Sequence, residues 1–310
     1  MLSFYVKRSP GEEFEKVQTP FDENVWVTGE HVDEHDTGLL VKQYGLNKNI
    51  VDDVRDTNEL TRVEFNEGRE YVFLRVPQLT KRGKALTTPL LVVIGKKHFF
   101  TLASRDNLLP TNIIAGSVPA HSEQGAGLLL GTVASLLAAY EELIQHTSRT
   151  IKDTGQRLQT HEVTNRDFVH FVTVEDNLNE YQMNLDGTLA VMGRLRENTH
   201  ALFSEEDVEA IEDLMLHIKQ LLVGISTYAK SVESIRNAYS TIANNNLNTR
   251  MKTLTVLTVL IALPNVFFGM FGMNVVLPFS DQPWAYAAIV GFSVAIIIFV
   301  YFIARRLKIF

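Results

Sequence analysis

Asn248, Met251, Thr255, Thr258, Ala262, Asn265 and Gly269 follow one another in alternating steps of three and four, a spacing that puts them on one face of a helix. Most of them are small or carry a neutral oxygen. Amide and hydroxyl oxygens accept hydrogen bonds without the full charge that would trap a cation, so the row suits contact with water and a hydrated ion. It equally suits close packing against a neighbouring helix, where small residues let backbones approach and hydroxyls bridge. A face turned to lipid would carry neither Asn nor Thr.

The row lies in a stretch that could cross a bilayer. No charged residue occurs between Lys252 and Asp281, and none between Gln282 and Ala304, and a spanning helix takes roughly 20 residues. Two C-terminal spans are expected, at about 252–273 and 283–304. Arg250 and Lys252 precede the first, and Arg305, Arg306 and Lys308 follow the second, whereas the segment between them has no basic residue. That asymmetry predicts both termini in the cytoplasm.

The elements that would position the row fall into three parts: an α/β domain over 1–115, a helical domain with a stalk over 116–250, and a membrane domain over 251–310. In the first part, β-rich runs at 3–8, 24–28, 70–76, 88–94 and 98–102 alternate with helices at 33–44 and 49–56. Pro110 and the Gly, Ser and Pro residues of 116–127 mark a change of regime. Helices are then predicted over 128–161 and 167–200, and a third begins at the Ser204 cap with Glu205, Glu206 and Asp207 in its first turn. From Glu205 to Leu263 only Gly224 interrupts it. Run to Met273, this helix would hold about 69 residues and reach roughly 100 Å. A helix of that length needs partners along its sides. Leu214, Ile218, Leu221, Leu222, Ile225, Val232 and Ile235 recur at helical spacing and are expected to pack on helices of the same chain.

Composition excludes several function classes. The chain has no cysteine, so disulfide frameworks and thiolate metal sites are ruled out. The opening MLSFYVKRSPGEEFEK lacks the apolar core of a signal peptide, so a cytosolic N-terminal part is expected. The formal charge is −7, and the C-terminal end is basic. The remainder is therefore more acidic than the whole, which argues against a nucleic-acid partner. No Walker-type or other phosphate-cradling glycine loop is present, so no nucleotide partner is expected. Neither a hydrolase-type nucleophile motif nor a His-rich metalloenzyme signature occurs, so the chain is not read as an enzyme. His31 and His35, among Asp33, Glu34 and Asp36, are read as a solvated helix start before a metal site.

The first span closes on Pro264-Asn265-Val266-Phe267-Phe268-Gly269-Met270-Phe271-Gly272-Met273-Asn274. Gly272-Met273-Asn274 at the outer end of a penultimate span, followed by one more span ending in basic residues, resembles the signature of the CorA family of divalent-cation channels. Asn49-Ile50-Val51-Asp52-Asp53, Arg62-Val63-Glu64-Phe65 and Glu70-Tyr71-Val72-Phe73 are similar to that family's N-terminal domain. Asn244-Asn245-Asn246-Leu247-Asn248-Thr249-Arg250-Met251 looks like its approach to the first span.

The resemblance implies an α+β cytosolic domain, a long helical stalk and two C-terminal transmembrane helices, assembled as a homopentamer in the inner or plasma membrane among its lipids. It implies a passive channel for Mg²⁺, with Co²⁺ and Ni²⁺ as further divalent cations. Asn274 of each subunit would form the outer selectivity ring with Gly272 and Met273. Asn265 and Gly269 would add rings below it, and Met251 with Leu254 would make an apolar constriction.

Two features depart from the family. Where an acidic loop usually follows the signature, this chain reads Val275-Val276-Leu277-Pro278-Phe279-Ser280-Asp281, which leaves Asp281 as the charge at the pore mouth. Asp213 falls where a regulatory Mg²⁺-binding carboxylate is expected, but the turn that would face it is Thr80-Lys81-Arg82-Gly83-Lys84, which is basic. The altered loop motivates a rival of the same fold that moves zinc or another transition metal, coupled to protons. A rival of another class is a membrane-tethered scaffold or sensor whose polar stripe only packs.

Overall fold

Unbroken apolar runs along the central strands, such as Tyr71–Leu74 and Leu90–Ile94, give the N-terminal part a sheet with two buried faces. In the computed structural model, which describes residues 2–6, 14–18, 25–81, 83–95, 98–106, 125–160, 165–273 and 282–306, that sheet has seven strands. They are β1 (Leu2–Val6), β2 (Glu15–Val17), β3 (Val25–Gly29), β4 (Arg62–Asn66), β5 (Arg69–Leu79), β6 (Ala85–Ile94) and β7 (His98–Ala103). Their order is β2-β1-β3-β7-β6-β5-β4. β3 and β7 pair in parallel, and the other described pairs are antiparallel.

Along β6, Leu90, Val92 and Ile94 enter one core while Leu91 and Val93 enter the other, as the two-residue period of a strand requires. The second core is closed by α1 (Glu34–Tyr44), α2 (Lys48–Asp52) and a 3₁₀ turn, Asp53–Arg55, through Leu40, Ile50, Val51 and Val54. One helix was expected over 49–56; its last turn tightens instead. The first core is covered by the helices that follow: α3 (Gly125–Thr160), α4 (Asn165–Arg196) and the beginning of α5 (Glu205–Phe271). A last helix, α6, runs Ala285–Arg306.

Contacts gather the chain into two compact units, Met1–Ile235 and Arg236–Phe310. Within the first, α5 buries Ile211, Ile218, Ile225 and Val232 at seven-residue intervals, with Leu214, Leu221, Leu222 and Ile235 half-covered beside them. That is the seam of a helix packed along other helices. Ser204 and Asp207 cap α5 reciprocally: the Asp207 amide donates to Ser204 Oγ (3.2 Å), and Asp207 Oδ2 accepts from the Ser204 amide (2.9 Å).

α4 ends at Arg196, short of the expected 200, because Asn198 turns left-handed at φ 47°. The Asn198 side chain then accepts from the amides of Leu202 and Phe203 and donates to the Phe203 carbonyl, offering the backbone an alternative to another helical turn.

α3, α5 and α6 are all long and apolar enough to cross a membrane. In α3, 67% of the most apolar window is buried inside the protein, against 6% in α5 and 11% in α6. The apolarity of α3 is thus used by the core of its own unit, and that of the other two helices is left facing outward.

Candidate functional site

The candidate site lies on the part of α5 that belongs to the second unit. Asn248, Met251, Thr255, Thr258, Ala262, Asn265 and Gly269 are all exposed, as is Leu254 on their flank. The covered positions of the same segment are Val256, Leu260, Leu263, Pro264 and Phe267. At 3.6 residues per turn the centres of the two sets lie about 150° apart around the helix. The covered face meets α6, where Phe267 packs edge-on against Phe292 (5.2 Å between centroids) and where Ser293 and Ala304 are buried. Small residues at such positions let two helices approach. The polar row therefore does not serve the packing of α5 on its own hairpin partner.

The hydroxyls of that row are oriented by the helix itself. Thr255 Oγ1 donates to the Met251 carbonyl and Thr258 Oγ1 to the Leu254 carbonyl, both at 2.8 Å. With its proton spent on the turn below, each hydroxyl offers the exterior only lone pairs. The carboxamides of Asn248 and Asn265 make no hydrogen bond among the described residues. A ladder of acceptors results, suited to a species that presents O–H donors, such as the water shell of a cation.

At the end of α5 the chain closes on itself, with the Gly272 amide donating to Phe268 O (3.0 Å) and the Met273 amide to Met270 O (3.3 Å). Gly272 is not left-handed. Its smallness matters for another reason: a Cβ there would stand 3.2 Å from the Phe268 carbonyl oxygen. The remaining signature residue, Asn274, and the expected pore-mouth Asp281 lie outside the described residues.

Asp213 is exposed on α5, with no ion pair or hydrogen bond to another side chain among the described residues. The 80–84 turn is fixed by its own backbone, with Thr80 N donating to Lys84 O and Gly83 N to Thr80 O. Buried Asn177 on α4 bridges Ala85 N and Gly83 O. Arg82 lies outside the described residues.

Asp33, His35 and Asp36 bring possible metal-ligand atoms within 4.8 Å of one another. Asp33 is the N-cap of α1, however, and accepts from the Asp36 amide at 2.8 Å, a bond that lowers its carboxyl pKa. His31 instead meets Asp106 at 2.7 Å. The helix-start reading thus has a direct structural account. Nothing in the spacing singles out the face of α5 opposite the polar row as the covered one, because Val, Leu, Ile and Phe surround the helix there.

A family model described as CorA-like Mg²⁺ transporter protein matches residues 21–306. The cobalt/magnesium transport protein CorA of Methanocaldococcus jannaschii is 22% identical over 293 residues, which cover 91% of this chain and 90% of that protein. The complete structure of the CorA magnesium transporter from the same organism superposes with a TM-score of 0.86 at 19% identity, covering 99% of this chain and 98% of that one. The full-length CmaX protein gives a TM-score of 0.75 at 18% identity over 99% of this chain and 97% of its own.

Proposed function

The chain belongs to the CorA-like Mg²⁺ transporter family, and from that premise we propose that it carries Mg²⁺ through the membrane passively, as a homopentamer whose α5 helices turn their polar row toward a central pore. The observation that carries this reading is the uncovered acceptor row, set opposite the face that α6 packs.

Mg²⁺ gives up its waters reluctantly and prefers octahedral oxygen. A wall that accepts hydrogen bonds from those waters holds the ion without stripping it and lets it leave. Asn274, Asn265 and Gly269 supply the outer rings, with Gly272 and Met273 shaping the turn at the mouth. Thr258, Ala262 and Thr255 continue the wall, and Met251 with Leu254 narrows it at the cytosolic end, where apolar side chains gate by dewetting.

Assembly has support of its own. From Ser240 to Thr255 every residue of α5 is exposed, and a helix uncovered on all sides gains no packing energy. Neighbouring copies would supply it, while Val266, Phe268 and Phe299 remain available to lipid. Basic residues before α5 enters the bilayer and after α6 leaves it favour an orientation with both termini in the cytoplasm. The driving force is electrical: a divalent ion crossing the full potential gains about 4.6 kcal/mol per 100 mV, twice the value for one charge. Mg²⁺ is the substrate; Asp213 lies where the family's regulatory carboxylate is expected, but the basic turn at 80–84 argues against feedback through it.

The test is Mg²⁺ influx into proteoliposomes that contain a Mg²⁺-sensitive dye, under an imposed inside-negative potential. Potential-dependent influx supports the reading. Zn²⁺ uptake that requires a pH gradient would replace it with a proton-coupled transition-metal transporter. Vesicles impermeable to every divalent ion around an intact oligomer would replace it with the tethered scaffold.

The hydroxyl row adds a sharper expectation. Thr258→Val keeps the shape but removes an acceptor from each subunit, and a lost hydrogen bond is worth about 1 kcal/mol. Mg²⁺ flux should drop about tenfold or more, and Thr258→Ser should restore it. Equal flux through the Val and Ser variants would remove Thr258 from the pore wall.

A further inference from the structure

Beyond α4 the chain turns back against the β4–β5 edge and encloses a cavity of about 160 Å³, lined among others by Phe65, Glu70, Arg194, Glu197, Asn198 and His200. Glu70 enters it from β5, opposite Phe65 of β4 and Ile94 of β6. The residue is only 9% exposed. Its partner among the described residues is the His200 ring, whose Nε2 stands 3.8 Å from Glu70 Oε1, too far for a hydrogen bond. His200 is held there by stacking on Phe65, with centroids 3.5 Å apart and planes 11° apart. Burial pushes the Glu70 carboxyl above the usual carboxylate range, against the pull of His200 and Arg194. A carboxylate so largely covered and with no hydrogen-bond donor among the described residues is costly unless a cation, a proton or water joins it.

Further features of the cavity favour a cation. Residues of the last turn of α4 line it, and the carbonyl end of a helix carries partial negative charge. Glu197 adds a carboxylate. Arg194 opposes them, yet it makes no ion pair with Glu70 among the described residues. We propose that Glu70 and His200 together hold one divalent transition-metal ion in the N-terminal unit, of the class that accepts imidazole nitrogen beside carboxylate oxygen, namely Zn²⁺, Co²⁺ or Ni²⁺.

Ligands about 2.1 Å from a tetrahedral ion stand about 3.4 Å apart, so a shift of a few tenths of an ångström closes the observed gap, and water completes the shell. Mg²⁺ is a poor occupant because it seeks hard oxygen in octahedral array. Other histidines among the described residues also stand within 4 Å of a carboxylate: His217 lies 3.6 Å from Glu141, and His31 lies 2.7 Å from Asp106. Those carboxylates are 45% and 84% exposed, against 11% for the Glu70 side chain, so water already satisfies them. An ion bound at Glu70 and His200 would tie the segment from which α5 starts to the edge of the sheet. The site stands apart from the pore reading, since none of its residues belongs to the polar row.

The full-length protein, solubilised in detergent and stripped with a chelator, is titrated with Co²⁺ and followed by visible ligand-field absorption and equilibrium dialysis. One tight site per chain is expected. Its Kd should rise on the order of 100-fold in Glu70→Gln and in His200→Gln and stay unchanged in His217→Gln. His200 sits at the surface end of the pair, so its variant reports even where Glu70→Gln folds poorly. Matching titrations of wild type and His200→Gln overturn the proposal, as does a wild type without Co²⁺ bands.

Discussion

Replacing Asn274 by Ala is expected to abolish Mg²⁺ influx into proteoliposomes, a fall of more than about 100-fold, while the detergent-extracted oligomer keeps its size. In the proposed ring the carboxamide oxygen would accept from ion-bound water, and each subunit would contribute one such bond at about 1 kcal/mol net. Removing the whole ring takes away the attraction that concentrates the ion at the outer mouth. Val275 to Ser280 carry no charge that could stand in for it. Asn274→Asp should also lower flux, for the opposite reason: a ring of carboxylates binds the ion but lets it leave slowly. The two variants then separate under Mg²⁺ titration, with half-saturation shifted to lower concentration in Asp and little uptake at any concentration in Ala. Retained flux in Asn274→Ala would refute the assigned ring.

Ile218→Ala should cost about 2–5 kcal/mol of stability, because it empties a fully buried position and the neighbouring side chains relax only in part. Leu216, two residues earlier, is 56% exposed. Its truncation should change stability by no more than about 0.5 kcal/mol. Urea unfolding followed by far-ultraviolet circular dichroism compares them. Comparable losses from both would mean that the Ile211–Val232 seam is not what holds α5 to its unit. Ile218→Ala should lower the yield of assembled protein without changing the ion preference of what survives, since no pore residue moves.

The polar row and the length of α5 were legible because a helix converts spacing into a face and because only one glycine stands before Pro264. The central strands were legible for a similar reason: Tyr71 to Val76 and Leu90 to Ile94 alternate between two buried faces. β2 and β4 were not. β2 has three residues at the sheet edge, and β4 carries Arg62, Glu64 and Asn66 between Val63 and Phe65; edge strands bury too little to show an apolar pattern. The apolar run of α3 is as compatible with a membrane as with a core, and only its covering by the sheet decides. Glu70 and His200 are brought together by the turn after α4 and the β4–β5 hairpin, a pairing that no local pattern announces.

The bare stretch of α5 from Ser240 to Thr255 bears on how the protein is made. From Ser240 to Arg250, ahead of the expected span, a single chain carries a rod of helix that its own residues leave uncovered, so its amide hydrogens should exchange quickly and its backbone should be open to proteases. Burial by sister copies would end that exposure. On the proposed assembly, subunit association would be the last step of folding, and exchange at this segment would distinguish a lone chain from an assembled one.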